Sequence, residues 1–372
     1  MKREELRTPC YVIMESEMKK NLQILQEIRQ QSGCKILLAQ KAFSMYSCYP
    51  LIGEYLDGTT ASGLYEAKLG KECMGKENHI FSLAYREDEF EEVLANCEHL
   101  VFNSFSQLEK FGERAANAGK SVGIRVNPEC STQEEHAIYD PCAPGSRLGI
   151  LASEFPETLP SYVEGLHFHT LCEQNADALE ITLKAVEEKF GKWMKQLKWV
   201  NFGGGHHITR ADYDRELLIS CVRRIQDTYN VQVYLEPGEA VALNAGHLIT
   251  TVEDIVHNDI AVLDVSAACH MPDVIEMPYR PPLFDSGEAK EKEYTYLLGG
   301  PTCLAGDVIG SYSFDQPLKV GDRLTFGDMA IYTTVKNNTF NGMRLPDIVW
   351  ERENGECEIV KSFGYEDFKC RL

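Results

Sequence analysis

The sequence contains no long apolar run. No stretch of 18 apolar residues occurs in its 372 residues, and the opening MKREELRTPCYV has no apolar segment of the kind that directs export. We therefore expect a cytoplasmic protein without a membrane span. Basic residues are also few, with 37 Lys and Arg against 57 Asp and Glu. A net charge of -20 argues against a nucleic-acid partner, which would require a basic face, and is compatible with a cationic substrate.

Paired cysteine motifs are absent as well. The 13 cysteines are odd in number and scattered, and no CxxC pair occurs. A disulfide framework is therefore not expected in a chain of this size. The cysteine pattern instead predicts reduced thiols in the cytoplasm, most of them filling the core.

What is present is typical of a soluble globular enzyme, with 44% hydrophobic and 25% charged residues. Across 15–255, short apolar runs alternate with amphipathic helical segments, of which the main ones are 87–96, 105–118, 176–197 and 215–229. The predicted strands are 35–43, 58–62, 79–83, 99–103, 122–127, 165–169, 199–202 and 231–236. Eight strands that alternate with helices predict an α/β fold with a (β/α)8 TIM-type barrel.

The texture of the chain changes after this region. Across 256–372, helical periodicity almost vanishes, and short alternating runs such as YTYLLGG and DRLTFGDMAIYT are punctuated by Gly and Pro. This pattern predicts a C-terminal β-rich domain with a sandwich-like or barrel-like sheet. The apolar run TPCYVIM within 1–14 lies outside the barrel count, and we expect it to join this second sheet.

Lys41 stands near the end of the first predicted barrel strand, KILLAQKAF. Burial would disfavour its charged form and lower its pKa, which creates a nucleophile for carbonyl compounds. Taken alone, the stretch is more typical of a lysine that simply reaches the surface where a strand ends.

Other unusual residues also fall at the C-terminal strand ends, where barrel enzymes carry their active sites. Three consecutive glycines, 203–205, favour a phosphate cradle over a simple tight turn. In HFH, the ring of either His167 or His169 could stack on a flat cofactor, and Glu236 could bond a ring nitrogen. The histidines could also suggest a metal, but no carboxylate or thiol stands at ligand spacing, so we predict none. Together these features describe a site for pyridoxal 5′-phosphate (PLP).

The order of Lys41, HFH, GGG, EPG and GPTC resembles the alanine racemase-like, fold type III PLP decarboxylases of ornithine, arginine and diaminopimelate. Longer phrases resemble the carboxynorspermidine (carboxyspermidine) decarboxylases within that group, over essentially the whole chain. They are DPCAPGSRLGI (140–150), HFHTLCEQ (167–174), NFGGGHHIT (201–209), LEPGEAV (235–241), MPDVIEMPYRPP (271–282) and GGPTCLAGD (299–307). Each motif is weak alone, and six in order are specific.

The resemblance implies a role for each matching residue. Lys41 would attach the cofactor covalently, His169 would stack on its ring, and Glu236 would bond the pyridine nitrogen. The cofactor phosphate would be held by Gly203, Gly204, Gly205 and Tyr332.

The resemblance also implies a homodimer whose active sites are shared across the interface. Cys303 would come from the second subunit and protonate the substrate carbon after carbon dioxide leaves. Asp307 would lie at the same shared site. A thiol suits this task because its ordinary pKa of about 8.5 leaves it mostly protonated at neutral pH.

Two departures from the wider group bear on the substrate. Glu239 stands where related enzymes read EPGR with a phosphate-binding arginine, and Leu304 replaces an acid that binds substrate amines. Glu276 falls where diaminopimelate enzymes place an arginine for the distal carboxylate, so a cationic substrate tail is favoured, with Asp273 as a second candidate ligand. Arg280 is a further candidate, for which a structural ion pair is at least as good an interpretation.

The sequence therefore predicts a PLP-dependent carboxy-lyase of polyamine biosynthesis. It would convert carboxynorspermidine or carboxyspermidine to norspermidine or spermidine. The alternatives are another fold type III decarboxylase, acting on diaminopimelate or a basic amino acid, and a racemase, which GPTC disfavours. From a different class, the chain could be a non-catalytic PLP-binding or regulatory homologue. Both Lys41 and Cys303 are retained, which disfavours that reading.

Overall fold

The computed structural model describes residues 1–133 and 137–372. Its strands, in chain order, are β1 (Cys10–Met14), β2 (Lys35–Ala39), β3 (Gly58–Ala61), β4 (Glu77–Phe81), β5 (His99–Phe102), β6 (Ser121–Asn127), β7 (Ile150–Leu151), β8 (Val163–His167), β9 (Trp199–Asn201), β10 (Gln232–Leu235), β11 (Gly246–Val256), β12 (Ile260–Leu263), β13 (Tyr294–Gly299), β14 (Val308–Phe314), β15 (Arg323–Phe326), β16 (Asp347–Glu351) and β17 (Cys357–Lys361).

The α-helices are α1 (Glu15–Ser32), α2 (Tyr49–Tyr55), α3 (Leu64–Cys73), α4 (Phe90–Asn96), α5 (Phe105–Asn117), α6 (Ala176–Met194), α7 (Arg215–Tyr229), α8 (Glu239–Ala242), α9 (Ala267–His270), α10 (Asp273–Glu276), α11 (Thr333–Lys336) and α12 (Tyr365–Lys369). Among the helices of the described residues, none combines the length and apolar character that crossing a bilayer requires.

The chain forms two compact units. Residues 21–241 make up one, here called the barrel unit, and residues 1–20 together with 242–372 make up the other, the sheet unit. In the barrel unit, the parallel strands run in the order β2, β3, β4, β5, β6, β8, β9 and β10, and β10 pairs with β2 to close the ring. The two-residue strand β7 adds to β6 outside this ring.

Several barrel helices begin at side chains that the sequence supplies for capping. The Ser104 side chain accepts a hydrogen bond from the Gln107 N–H at the start of α5, and Asp214 accepts one from the Leu217 N–H at the start of α7. These oxygens satisfy backbone donors that have no partner within the helix. Asn230 ends α7 in the left-handed conformation, at φ 54°.

The interior of the barrel is filled around Trp199 of β9, which packs with Leu37, Val101 and Tyr234 in a buried cluster. A Cβ atom on Gly165 of β8 would lie 1.9 Å from the Trp199 ring, and one on Gly123 of β6 would lie 2.3 Å from it. Both strands therefore have a glycine beside the Trp199 ring, because the indole leaves no room for a side chain at these positions.

The N-terminal strand ends carry a separate polar network around Glu77, the first residue of β4. Its carboxylate accepts hydrogen bonds from the Lys35 amine at 2.7 Å and the Tyr234 hydroxyl at 2.7 Å, and lies 2.9 Å from His79 Nε2. Burial opposes ionisation, but these contacts outweigh it and lower the pKa of Glu77. The network therefore provides hydrogen-bond partners for the charged Glu77 carboxylate, which lies at the end of the barrel opposite the predicted site.

The sheet unit contains one mixed sheet in the order β14, β13, β12, β11, β1, β16 and β17, and β15 also pairs with β11. The N-terminal strand β1 is antiparallel to β11 and parallel to β16, and all five of its residues are buried. A strand buried on both faces explains why TPCYVIM is a continuous apolar run rather than an alternating one. The predicted fold, an α/β barrel of eight parallel strands with a C-terminal sheet domain, is confirmed.

Candidate active site

The pocket at the C-terminal strand ends of the barrel unit collects residues from most of the ring. Its lining residues are Ala39, Lys41, Thr60, Ala61, Ser62, Phe81, Arg125, His167, His169, Gly204 and Glu236. Lys41, both histidines, the middle glycine and Glu236 were predicted from the sequence. The fold therefore brings together residues that are up to 197 positions apart in the chain.

Lys41 follows β2 in a turn, and its side chain is open to the pocket. The surrounding barrel atoms nevertheless desolvate its amine, and together with the nearby positive charge of Arg125 they lower the pKa of Lys41. Glu236 acts in the opposite direction and is outweighed. The pocket thus increases the share of the neutral, nucleophilic amine.

His169 lies two residues beyond the end of β8, beside this amine. Its Nε2 atom is 3.4 Å from Lys41 Nζ, and its Nδ1 atom accepts a hydrogen bond from the Gly204 N–H at 3.0 Å. Desolvation and the charges of Lys41 and Arg125 hold the pKa of His169 well below its usual range. The ring is therefore neutral, and the glycine backbone fixes its orientation.

Glu236 directly follows β10 and is an anion at the pocket wall. Its carboxylate accepts a hydrogen bond from Asn201 Nδ2 at 2.8 Å and lies 3.3 Å from His167 Nε2. Burial opposes ionisation, but His167 and Asn201 outweigh it and lower the pKa of Glu236 to about 2. Of the two histidines in HFH, His167 thus contacts the carboxylate, whereas His169 contacts the lysine.

Arg125 is a pocket residue that the sequence reasoning missed. It lies in β6, is 4% exposed, and donates a hydrogen bond from Nη2 to the His169 carbonyl at 3.2 Å. Its guanidinium lies 4.6 Å from the centre of the Phe81 ring, and burial lowers the pKa of Arg125 to about 10, so the group stays charged. A single arginine within the apolar run VGIRVN was the signal that could have revealed it.

The three consecutive glycines follow β9, and each approaches another backbone segment closely. A Cβ atom on Gly203, Gly204 or Gly205 would lie 2.5, 2.5 or 2.0 Å from the carbonyl oxygen of Phe168, Glu236 or Leu171, respectively. Gly203 and Gly205 also have positive φ angles of 71° and 82°. Backbone packing at the strand ends therefore requires all three glycines, and their predicted contact with phosphate stays a prediction.

Glu239, which stands at the position of the expected arginine, is paired with a histidine from the glycine segment. His207 Nε2 lies 3.0 Å from the Glu239 carboxylate, and ligand atoms of Glu173, His207 and Glu239 all lie within 4.8 Å of one another. Burial opposes protonation of His207, but Glu239 and Glu173 outweigh it and raise the pKa of His207. Sequence spacing did not indicate this grouping, since its members come from three separate segments of the chain.

In the sheet unit, Cys303 is exposed, and its N–H donates to Asn341 Oδ1 at 2.8 Å. Asp307 is buried and anchors the same loop. Its carboxylate accepts hydrogen bonds from the Ser266 hydroxyl at 2.9 Å and the Thr302 hydroxyl at 2.6 Å. These contacts assign Asp307 a part in holding the GPTC loop, and its predicted contact with substrate stays a prediction.

The remaining predicted residues of the sheet unit lie in three places. Arg280 is bound by its own surroundings: it pairs with Glu288 at 2.6 Å, donates to the Ser311 and Gly287 carbonyls, and lies over the Tyr312 ring. Tyr332 is half-buried, at a positive φ of 51° just before α11. Asp273 and Glu276 occupy α10, and both contact the Lys336 amine at the end of α11.

Comparison with known proteins places this arrangement in a family. The family model "Pyridoxal-dependent decarboxylase, C-terminal sheet domain" matches residues 10–330. The chain belongs to the pyridoxal-dependent decarboxylases.

Individual members of this family match the chain over nearly its full length. A carboxynorspermidine/carboxyspermidine decarboxylase of Campylobacter jejuni is 46% identical over 99% of both chains. A carboxyaminopropylagmatine decarboxylase of Synechocystis is 41% identical over 99% of this chain and 96% of its own. The crystal structure of the carboxynorspermidine decarboxylase from C. jejuni, complexed with norspermidine, superposes with a TM-score of 0.93, at 46% identity and with 99% and 100% of the two chains covered.

The barrel pocket fits the pyridoxal cofactor of this decarboxylase family. It offers a lysine amine with a lowered pKa and an anionic carboxylate on one wall. It also contains buried polar atoms that make no hydrogen bond within the described residues, Arg125 Nε and His167 Nδ1. The cofactor aldehyde would match the lysine amine, and its basic ring nitrogen would match the carboxylate. Its polar ring substituents would match the unsatisfied polar atoms of Arg125 and His167.

Proposed function

We propose that the protein decarboxylates carboxynorspermidine or carboxyspermidine, giving norspermidine or spermidine in polyamine biosynthesis. The observation that carries this proposal is the Lys41 amine, which has a lowered pKa and lies beside His169 in the pocket that Glu236 lines. The similarity of the whole chain to the C. jejuni enzyme supports the choice of substrate.

Each pocket residue has a task in this proposal. Lys41 would attach the cofactor aldehyde, His169 would pack against the cofactor ring, and the Glu236 carboxylate would accept a hydrogen bond from the protonated ring nitrogen. Gly203, Gly204 and Gly205 would hold the cofactor phosphate, and Tyr332 is proposed as a further donor to it. Pyridoxal phosphate, when bound, supplies an electron sink for the bond that breaks as carbon dioxide leaves.

We further propose a homodimer in which Cys303 acts in the site of the partner subunit. Its exposed position on a loop that Asp307 anchors suits a residue that must reach another chain. The Cys303 thiol would donate a proton to the substrate carbon that has lost carbon dioxide. The thiol would then recover its proton from water.

The polyamine tail is proposed to bind at acidic residues of the sheet unit. Asp273 and Glu276 lie three residues apart on α10, and the net charge of -20 favours approach of a polycation. Glu276 also disfavours a diaminopimelate substrate, whose distal carboxylate it would repel.

A cytoplasmic location is part of the proposal. All of the cysteines, 13 in number, are free thiols, and seven of them are buried. A reducing compartment suits this composition.

A second candidate substrate is carboxyaminopropylagmatine, because the Synechocystis relative with that activity is nearly as similar to the chain. Its tail ends in a guanidinium, whereas the carboxypolyamines end in an ammonium. A planar guanidinium and a compact ammonium require different placement of the carboxylates that bind them.

The test is decarboxylation of carboxynorspermidine, carboxyspermidine, carboxyaminopropylagmatine and diaminopimelate side by side, with carbon dioxide and amine product both measured. We expect the highest kcat/KM for one of the first two, and no turnover of any by Lys41→Ala. Preferred turnover of the guanidinium substrate would transfer the assignment to the second candidate. Preferred turnover of diaminopimelate would refute both.

A further inference from the structure

The acid pair of α10 already holds a cation that belongs to the chain itself. The Lys336 amine contacts one carboxylate oxygen of Asp273 and one of Glu276 at the same time. Burial opposes the charge on Lys336, but these two hydrogen bonds outweigh it and raise the pKa of Lys336. A primary alkylammonium therefore lies between two carboxylates, in a purely protein-made contact.

This contact has the chemistry that a polyamine tail would need. The end of such a tail is a primary alkylammonium on a short methylene chain, which is also the chemical description of a lysine side chain. Two carboxylates that bind the lysine ammonium can therefore bind the terminal ammonium of a polyamine with the same oxygens.

The Lys336 amine can also be displaced from the two carboxylates at little cost. The Lys336, Asp273 and Glu276 side chains are 30%, 21% and 52% exposed, and ion pairs open to water are weak. Lys336 is the last residue of α11, a helix of four residues, and has a flexible four-carbon stem. Its amine can therefore leave the carboxylates without disturbing a long element.

We propose that Lys336 acts as an internal competitor for the polyamine: its amine occupies the place of a substrate ammonium in the free protein, and an ammonium of the tail displaces it on binding. This inference rests on the proposed function, since it assumes that Asp273 and Glu276 bind the tail. Lys336 thus lowers the affinity of this acid pair for every cation that binds there.

The test is calorimetric titration of the cofactor-loaded enzyme with norspermidine. Lys336→Met removes the competing charge at similar length, and we expect norspermidine to bind about three- to tenfold more tightly. Lys336→Arg retains a cation and should bind it about as the parent protein does. Asp273→Asn and Glu276→Gln should each weaken binding.

A matched control is Lys292→Met, which removes a lysine paired with Asp315 at 2.7 Å in the same unit and should leave norspermidine affinity unchanged. Unchanged or weaker binding in Lys336→Met would overturn the inference, as would unchanged binding in both carboxamide variants. Decarboxylation is assayed in parallel to separate the two proposals. Absence of polyamine turnover by the parent enzyme would refute the proposed function, whereas normal turnover with unaltered affinity in Lys336→Met would refute only the competitor role.

Discussion

Arg125 is the charge that most directly opposes protonation of Lys41 in the barrel pocket. Desolvation is the largest cause of the lowered pKa of Lys41, and the Arg125 guanidinium is the next. Replacing Arg125 with Met should therefore raise the pKa of Lys41 towards its ordinary value. Since only the neutral amine attacks an aldehyde, the rate of cofactor attachment to the cofactor-free protein should reach its plateau at a higher pH in this variant.

The measurement is the absorbance change on mixing cofactor-free protein with pyridoxal phosphate, followed across pH. The midpoint of the rate profile is the informative quantity, because it reports the titration of Lys41 separately from any loss of affinity. Arg114→Met, which removes an arginine paired with Glu87 and Glu91 on the outside of the barrel, should leave the midpoint unchanged. A midpoint that stays constant or moves to lower pH in Arg125→Met would show that the guanidinium does not control this amine.

Strands β8 and β9 depend on a contact between a glycine and an indole. Because a Cβ atom on Gly165 would lie 1.9 Å from the buried Trp199 ring, Gly165→Ala must displace the ring or the strand. We expect this one methyl group to lower the free energy of unfolding by about 1–3 kcal/mol, the usual cost of overpacking a core. Urea denaturation of the cofactor-free protein measures it.

Gly306→Ala provides the comparison for this strand substitution, because its Cβ atom would meet nothing within 4 Å in an exposed turn. Its effect should be below about 0.5 kcal/mol. Adding Trp199→Leu to Gly165→Ala should cost less than the sum of the two single changes, since the smaller side chain removes the clash. Simple additivity would mean that the indole is not the obstacle.

Most barrel strands could be predicted because they are short, largely apolar runs that are buried along most of their length. The boundaries could not, because they depend on partners elsewhere in the chain. β4 begins at Glu77, two residues before the predicted start, since Lys35 and Tyr234 supply hydrogen bonds to that carboxylate. β8 ends at His167 rather than His169, since its partner strand β9 ends at Asn201, the acceptor of the Phe168 N–H.

Prediction of the candidate site from the sequence has the same limit, since contacts between distant residues leave no local pattern. Lys41, His169 and Glu236 stand at strand ends, so barrel topology alone predicts that they meet. Arg125 was marked in the sequence only by its position within an apolar run. The pairing of His207 with Glu239 required the three-dimensional structure, because no local pattern connects the segment after the glycines with the start of α8. The Lys336 contact belongs to this class, since its partners lie 60 or more positions away.

Stability against acid should depend on histidines that are buried or half-buried in the neutral form. Desolvation is the main cause in each case, and it lowers the pKa to about 3 for His99 and to about 4 for His206, His247 and His270. Each folded-state value lies below the value of about 6.5 in an unfolded chain, so the unfolded state binds more protons at mildly acidic pH. The stability that these groups contribute is complete above about pH 6.5 and is lost as the pH falls towards the folded-state values.

His270 makes this dependence testable at one position. Its Nδ1 atom accepts a hydrogen bond from the Ser266 N–H at 3.1 Å, and Nε2 lies 3.0 Å from the Arg344 carbonyl, so the ring is held as a neutral tautomer. A second proton would have to sit at Nδ1 and face the Ser266 donor.

Between pH 7 and pH 5, protonation linked to His270 alone should therefore lower the free energy of unfolding by about 2 kcal/mol. His270→Gln should lower stability at pH 7 yet flatten the decline towards pH 5 in urea titrations, whereas His257→Gln, at an exposed turn, controls for the loss of one histidine. An equally steep decline in His270→Gln would assign the acid sensitivity to the other buried rings.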